Sequence, residues 1–124
     1  MKKILIVDDE AGIVEEVKSY FEEEGYEVYT ADTGKDGIEA MERYPFDLIL
    51  VDMKLPDMSG LHVLRICKAN YPATKVIVET GYVDQGMIDE AEMLGRDAFL
   101  HKPFNLEFLR DEIERLLGKN EPPI

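Results

Sequence analysis

Short runs of apolar residues alternate with longer stretches of mixed polarity along this 124-residue chain. Two runs, Ile4–Val7 and Leu48–Val51, are continuously apolar, which favours strands that are covered on both faces. Val76–Val78 is a similar central candidate. Glu27–Ala31 and Ala98–Leu100 carry a weaker pattern, typical of strands nearer the edges of a sheet. The pattern therefore predicts five short strands.

Each predicted strand is followed by a stretch whose apolar residues recur at helical spacing. The predicted helices cover Ala11–Glu24, Thr33–Arg43, Ser59–Asn70, Asp84–Leu94 and Leu106–Leu117. Gly25, Gly95 and Gly118 follow three of these stretches and are typical helix stops. Ser59 and Asn105 are candidate N-caps. The chain therefore alternates strand and helix five times.

This alternation predicts a doubly wound α/β fold, because right-handed crossovers place helices on both faces of a parallel sheet. Residues 1–118 form the predicted domain, and residues 119–124 are a predicted C-terminal tail or the start of a linker. Ligands of such sheets bind beyond the carboxyl ends of the strands, at the switch in strand order. Polar residues stand at these ends after four of the strands: Asp8, Asp9, Asp52, Thr80 and Lys102.

The composition excludes some classes of function. Lys and Arg total 14 against 27 Asp and Glu, a net charge of -13, so the domain is expected to repel nucleic-acid backbones. The apolar run near the N-terminus is too short for a signal peptide or a membrane span. The single cysteine, Cys67, fits a reducing, cytoplasmic setting.

The residues at the strand ends indicate phosphoryl chemistry. Three carboxylates at one edge of a sheet repel one another, and Mg²⁺ relieves this repulsion because it prefers oxygen ligands. Lys102 adds a positive charge, and Thr80 adds a hydroxyl group. A metal ion, a lysine and a hydroxyl around one carboxylate form a site where that carboxylate attacks a phosphoryl group.

Four segments carry a more specific signal when taken in order. They are Ile-Leu-Ile-Val-Asp8-Asp9-Glu10, Asp52-Met-Lys-Leu-Pro56-Asp-Met-Ser-Gly60, Glu-Thr80-Gly and Asp-Ala-Phe99-Leu-His-Lys102-Pro103-Phe104. Together they resemble the receiver domains of response regulators in two-component and phosphorelay signalling, across about residues 3 to 117. Stand-alone, single-domain receivers are the most similar. The resemblance implies a flavodoxin-like, five-stranded parallel sheet in the order 2-1-3-4-5.

The resemblance also implies a role for each site residue. Asp52 is the expected phosphoacceptor, and Lys102 is expected to pair with the phosphoryl oxygens. Asp9 and Asp52 are expected to bind Mg²⁺ directly, with Mn²⁺ as a possible substitute. The backbone carbonyl of Met53 is expected to complete the protein ligands, and Asp8 is expected to act through water.

A conformational switch is implied as well. Thr80 is expected to donate its hydroxyl group to the phosphoryl group, after which Phe99 turns inward. This movement would change the surface of the fourth helix, fifth strand and fifth helix. Lys54 and Tyr82 are expected to tune dephosphorylation, because they follow the acceptor and the switch residue by two positions.

The implied partners are a sensor histidine kinase or a histidine phosphotransfer protein, and a downstream protein that the sequence does not name. The candidate docking residues are Ile13, Val14, Val17, Pro103 and Phe104. For the helix residues a wide core-facing stripe is an equally good interpretation. The chain is expected to be a monomer or a phosphorylation-dependent dimer. It is interpreted as a signalling switch that catalyses its own phosphorylation and dephosphorylation, not as an enzyme with a separate substrate.

Two residues depart from the usual receiver pattern, and three alternative functions remain open. Glu79 stands where the family usually has an apolar or small residue, and it either faces solvent or adds charge beside Thr80. Phe99 stands where many members have tyrosine. A haloacid-dehalogenase-type phosphohydrolase needs a second aspartate where Lys54 stands, and a flavin carrier needs a phosphate-binding loop where Asp8 stands. A degenerate receiver, acting only as a binding module, would not need the complete site.

Overall fold

The computed structural model describes residues 1–81 and 84–119. Within them, strands and helices alternate as the sequence predicts. The strands are β1 (Lys3–Val7), β2 (Glu27–Ala31), β3 (Leu48–Asp52), β4 (Lys75–Thr80) and β5 (Ala98–His101). The helices are α1 (Ala11–Glu23), α2 (Gly34–Arg43), α3 (Gly60–Asn70), α4 (Gln85–Met93) and α5 (Leu106–Leu117). The predicted boundaries differ from these by two residues at most.

The five strands form one parallel sheet in the order β2-β1-β3-β4-β5, which confirms the predicted fold class. The order of strands reverses at β1, so the loops that leave β1 and β3 diverge to opposite faces of the sheet. The register places Asp52 at the end of β3 beside Glu79 of β4. Thr80 at the end of β4 lies beside His101 of β5. The carboxyl ends of the central strands therefore form one edge.

Each face of the sheet is covered by its own hydrophobic cluster, because successive side chains of a strand point to opposite faces. Leu5 and Ile49 belong to one cluster, which also contains residues of α2, α3 and α4. Ile4 and Leu50 belong to the other cluster, together with Val17 of α1 and residues of α5. Burial on both faces explains why β1 and β3 are apolar without alternation.

Side-chain caps set most helix starts. Ser59 accepts a hydrogen bond from the first turn of α3, and Asn105 accepts two from that of α5, as predicted. The sequence predicted that two helices begin at Thr33 and Asp84. In the structure these residues are the N-caps of α2 and α4, which begin one residue later. Gly25 follows α1 with a φ of 92°, a left-handed conformation that glycine adopts without steric cost.

The predicted boundary at residue 118 coincides with the end of the described secondary structure, since α5 ends at Leu117. Of the predicted tail, only Lys119 lies within the described residues. None of the helices described in residues 1–81 and 84–119 has the length and apolar character needed to cross a bilayer.

Candidate functional site

Two acidic residues and a lysine converge at the carboxyl edge of the sheet. Asp8 follows β1, Asp52 ends β3 and Lys102 follows β5. The Lys102 Nζ atom lies 3.1 Å from Asp8 Oδ2 and 2.8 Å from Asp52 Oδ2. Both acids are almost completely buried, at 1% and 5% exposure. The peptide bond that follows Lys102 is cis.

The third carboxylate of this cluster is Glu10 rather than Asp9. Glu10 Oε1 lies 2.6 Å from Lys102 Nζ, and the Glu10 backbone N–H donates to Asp8 Oδ1 at 2.9 Å. Asp9 is exposed and lines the adjoining cleft instead. Asp9 thus lies beside this cluster rather than within it, and its role as a Mg²⁺ ligand stays a prediction. The turn into α1 directs alternate side chains inward and outward, and this is not visible in the sequence.

The cluster has the chemistry of a site for a hard divalent cation. Carboxylate oxygens of Asp8, Glu10 and Asp52 lie within 4.8 Å of one another. A cleft of about 340 Å³ opens beside them, with Asp9, Asp52, Lys54 and Lys102 among its lining residues. Oxygen donors of this kind, next to an accessible space, fit Mg²⁺, which binds one or two carboxylates and keeps several waters.

The backbone carbonyl of Met53 does not face this cleft. It accepts a hydrogen bond from the Gly60 N–H at 2.8 Å, and the residue is buried at 2% exposure. The loop packs so closely here that a side chain at Gly60 would collide with the Asp52 carbonyl oxygen. The start of α3 therefore engages this carbonyl, and the role of Met53 as a backbone ligand stays a prediction. Lys54 lines the cleft instead.

The hydrogen bonds of Asp52 place one donor on each carboxylate oxygen. The Lys54 N–H donates to Oδ1 at 3.1 Å, and Lys102 donates to Oδ2. Burial raises the pKa of Asp52 above its ordinary value despite these donors. For Lys102, burial alone would lower the pKa, but hydrogen bonds to Asp52 and Glu10 outweigh it and raise the pKa. The lysine therefore stays charged.

The two predicted switch residues lie on adjacent strands. Thr80 is buried, and its carbonyl accepts from the Lys102 backbone N–H at 2.9 Å. It borders a second pocket, about 520 Å³, in which Met87 of α4 also takes part. Phe99 is half-buried against the core and packs edge-on to His101, with ring centroids 5.1 Å apart. Thr80 thus lies close to α4, and Phe99 lies within β5.

The loop that follows Asp52 is fastened to a distant helix. Asp57 accepts hydrogen bonds from the Gly34 N–H at 2.8 Å and the Lys35 N–H at 3.0 Å, at the N-terminus of α2. These backbone donors, Lys35 first, hold the pKa of Asp57 below its ordinary value. Sequence reasoning missed this contact because it joins segments 22 and 23 residues apart.

The candidate docking residues separate into two groups. Ile13, Val14 and Phe104 are half-buried and Pro103 is exposed. All except Val14 line a small groove of about 120 Å³ between α1 and the loop after β5. Val17 is 2% exposed and packs in the core beneath α1. It also lines the same groove, so its part in docking stays a prediction although most of the side chain faces the core. For Val17, the core-facing interpretation is confirmed.

Glu79 is the largest surprise of the site. It is completely buried, and its Oε1 lies 3.9 Å from Lys102 Nζ. The open question of whether it faces solvent is thus settled. Burial raises its pKa well above the ordinary value, and the neighbouring Asp8 carboxylate adds to the shift. One signal was available in the sequence: Glu79 directly follows Val76–Val78, a predicted central strand covered on both faces.

The predicted roles of Lys54 and Tyr82 in dephosphorylation stay predictions. Lys54 is exposed at the cleft, as expected for a residue near the path of attacking water. Tyr82 lies outside the described residues, so its predicted role has no structural counterpart here. Cys67 is buried, and burial raises the pKa of its thiol to about 11, which makes it an inert core residue.

Comparisons with known proteins agree with this arrangement. The profile of the family described as "Response regulator receiver domain" matches residues 4–114. Sporulation initiation phosphotransferase F of Bacillus subtilis (strain 168) is 35% identical over 116 residues, covering 94% of this chain and 94% of that protein. The cell cycle response regulator CtrA of Brucella ovis is 31% identical over 121 residues, 96% of this chain, which spans 51% of the length of CtrA.

Solved structures extend the likeness to the fold. A response regulator receiver domain protein (CheY-like) from Methanospirillum hungatei JF-1 has a TM-score of 0.91 at 38% identity, covering 93% of this chain and 92% of that one. The response regulator protein TrrA from Thermotoga maritima, in complex with Mg²⁺-BeF, has a TM-score of 0.85 at 33% identity. That match covers 94% of this chain and all of that one, at 100%.

Proposed function

The chain belongs to the family of response regulator receiver domains, and from this premise we propose that Asp52 is its phosphoacceptor. Receivers are phosphorylation switches of two-component signalling, so the function of the chain as a whole follows from its family. One observation carries the assignment of the residue. Lys102 holds the buried carboxylates of Asp8 and Asp52 around one ammonium group, beside an open cleft. Mass spectrometry after incubation with acetyl phosphate and Mg²⁺ tests it.

The transfer step uses the carboxylate as nucleophile. An Asp52 oxygen attacks the phosphorus of a phosphohistidine, an O–P bond forms and the N–P bond breaks. The electron pair of the broken bond stays on the imidazole nitrogen, which then takes up a proton. Lys102 lies 2.8 Å from the carboxylate and offsets charge on the phosphoryl oxygens. The chain thus supplies position and charge, which is most of what phosphoryl transfer requires.

A divalent cation, Mg²⁺ or in its place Mn²⁺, would neutralise negative charge on the transferred group when bound. Asp8 and Asp52 are the buried carboxylates that would hold it. Asp9 is the third ligand in this proposal, although Glu10 is nearer to the cluster. The resemblance to receiver domains assigns this role to Asp9, whereas Glu10 pairs with Lys102 at 2.6 Å. Asp9 lines the same cleft and forms no ion pair with any residue in the described ranges.

Asp9→Asn should weaken Mg²⁺ binding by about tenfold or more, whereas Glu10→Gln should change it less than about threefold, since loss of a charged ligand outweighs loss of a paired neighbour. Asp9→Asn should also make the metal-free protein more stable, because one repulsive charge is removed. Isothermal titration with Mg²⁺ and thermal melts at constant ionic strength measure both effects. If Glu10→Gln is the variant that loses the metal, Glu10 is the ligand and Asp9 is not.

The groove between α1 and the loop after β5 is the proposed docking site for the phosphodonor. Its apolar side chains, Ile13 and Phe104, lie next to the loop that carries Lys102. A histidine kinase or phosphotransfer protein seated there would present its phosphohistidine to the cleft. Kinases and phosphotransfer proteins are the usual partners of receivers. A downstream partner and a phosphorylation-dependent dimer would use the surface formed by α4, β5 and α5.

Hydrolysis of the acyl phosphate is the return step of the proposed switch. A water oxygen attacks the phosphorus, the bond to Asp52 breaks and inorganic phosphate leaves. Lys54 is exposed and lines the cleft, so in this proposal it would shield or orient that water. The proposed role of Tyr82, at the corresponding position after Thr80, concerns the same path. In this way the chain would catalyse its own phosphorylation and dephosphorylation.

Removal of the Thr80 hydroxyl should uncouple phosphorylation from the output surface. Thr80→Val keeps the shape of the side chain but cannot donate to a phosphoryl group, so it should accept phosphate yet respond weakly. Thr80→Ser keeps the hydroxyl and is the matched control. NMR shifts of α4, β5 and α5 on phosphorylation measure the response. Equal shifts in Thr80→Val and wild type would show that Thr80 does not transmit the signal.

A further inference from the structure

Residues 53–59, the wall loop, connect β3 to α3 and form one side of the cleft beside Asp52. Lys54, Leu55 and Pro56 are the residues of this loop that line the cleft. Asp52 is only 5% exposed, although it ends its strand at the edge of the sheet where the cleft opens. The position of the wall loop therefore determines how far the cleft opens in front of the proposed phosphoacceptor.

Hydrogen bonds within the wall loop make it a compact turn. The Leu55 N–H donates to the Met58 carbonyl at 3.3 Å, and Lys54 and Ser59 form an isolated antiparallel bridge. At the base of the loop, the Lys54 N–H donates to Asp52 Oδ1 at 3.1 Å. Since the tip and the base belong to one hydrogen-bonded turn, a constraint on the tip also acts on the residues beside the acceptor carboxylate.

Asp57 stands at the tip of the wall loop and ties it to α2. Its two carboxylate oxygens accept from different donors, the Gly34 N–H at 2.8 Å and the Lys35 N–H at 3.0 Å. These N–H groups belong to the first turn of α2, where no intrahelical acceptor exists. A side chain at Gly34 would collide with Met58, so the loop and the helix approach each other closely. Asp57 thus caps a helix to which its own segment does not belong.

We propose that Asp57 is a positioning residue of the phosphotransfer site, which anchors the wall loop to α2 and thereby restricts the access of water to the phosphoryl group on Asp52. The inference rests on the proposed function, because the acyl phosphate is the group that the wall loop shields. A closed site protects a reactive intermediate from hydrolysis. Hydrolysis is the step described above, in which a water oxygen attacks the phosphorus and the bond to Asp52 breaks.

Three substitutions separate anchoring from a general effect on stability. Asp57→Ala removes both acceptor oxygens, and Asp57→Asn keeps one of them. Thr33→Val removes the hydroxyl oxygen that accepts from the Asp36 N–H at the same end of α2, but leaves both hydrogen bonds of Asp57 in place. Asp57→Ala and Thr33→Val should both lower the melting temperature, because each removes a cap of α2. Only Asp57→Ala should release the wall loop.

The acyl phosphate of Asp57→Ala should hydrolyse about threefold faster than that of wild type, or more, as expected when a group near the reaction is displaced. Thr33→Val should hydrolyse at the wild-type rate, and Asp57→Asn should be slower than Asp57→Ala. Each protein is phosphorylated with acetyl phosphate and Mg²⁺ and freed of the donor, and intact-protein mass spectrometry follows the loss of the phosphoryl group.

Three results would overturn the proposal. The first is a hydrolysis rate of Asp57→Ala equal to or below that of wild type. The second is an equal acceleration in Thr33→Val, because lower stability would then be the cause. The third is an Asp57→Asn variant as fast as Asp57→Ala, because hydrogen bonding at this position would then have no part in the effect.

Amide hydrogen exchange, followed by NMR on the unphosphorylated proteins, measures the anchor without any phosphoryl transfer. The amides of Gly34, Lys35 and Lys54 are hydrogen-bonded, and in Asp57→Ala all three should exchange about tenfold faster than in wild type. In Thr33→Val the Lys54 amide should keep its protection. Unchanged exchange of the Lys54 amide in Asp57→Ala would overturn the proposal. If wild type takes no phosphoryl group on Asp52, the proposed function fails, and the Lys54 amide still decides whether Asp57 holds the wall loop.

Discussion

Replacement of Asp52 by asparagine should abolish covalent phosphorylation of the chain completely. The substituted side chain would keep the size of the original and the hydrogen bond from the Lys54 N–H, so the fold should persist. An amide oxygen is a far weaker nucleophile than a carboxylate, so no acyl phosphate forms. Wild type incubated with acetyl phosphate and Mg²⁺ should gain one phosphoryl group, detected by intact-protein mass spectrometry and removed by hydroxylamine.

The control for this experiment is an acid that is remote from the cleft. Asp89→Asn changes an exposed side chain on α4 that bonds only to Gln85 among the described residues, and it should be phosphorylated like wild type. Phosphorylation of Asp52→Asn to the same extent as wild type would show that another residue is the nucleophile. In that case Asp9 and Glu10, which also line the cleft, and Asp8 beside Asp52 would be the next residues to replace.

Loss of the Lys102 charge should have the largest effect on stability. Lys102→Met keeps most of the aliphatic stem but leaves the buried carboxylates of Asp8 and Asp52 without their cation. Removal of one partner of a buried ion pair typically costs about 3–5 kcal/mol of unfolding free energy. We expect a loss of this size at pH 7 in metal-free buffer, measured by urea denaturation. Phosphorylation should also no longer switch the output surface.

A second substitution identifies the cause of that loss. In the Lys102→Met background, Asp8→Asn removes one of the two carboxylate charges that have lost their cation, so it should restore part of the lost stability. In wild type the same substitution should lower the stability. The non-additivity of the two changes measures their interaction. Mg²⁺ should likewise stabilise Lys102→Met, by about 2.7 kcal/mol at a hundredfold excess over its dissociation constant. A Lys102→Met protein as stable as wild type would show that the ammonium group does not hold the cluster together.

Hydropathy along the chain was enough to predict the elements and the doubly wound α/β class, and the resemblance to receiver domains supplied the strand order. All ten elements were predicted within two residues of their observed ends, because helical and extended periodicities are local properties that do not depend on partners. Ser59 and Asn105 were also identified as caps from sequence. The position of the site at the carboxyl edge of the sheet followed from one rule: parallel strands bring their carboxyl ends to the same edge, whatever their order. Asp8, Asp52 and Lys102 were therefore expected to meet, and they do.

The direction of individual side chains at that edge was decided only by the tertiary structure. The turn after β1 brings Glu10, not Asp9, to Lys102, and the start of α3 engages the Met53 carbonyl. Val17 packs into the core where docking had been predicted. In each case the outcome depends on packing against another element of the fold, which no local pattern encodes.

Glu79 shows the difference between the two levels most clearly. The sequence predicted a strand at Val76–Val78, directly before Glu79, and left open whether the carboxyl group faces solvent or adds charge beside Thr80. Which layer that group faces, and that it meets Asp8 and Lys102 there, was decided by the register of β3 and β4 and by the order of strands. The physical reason is that periodicity is local, whereas burial and charge pairing arise between strands that are joined only by folding.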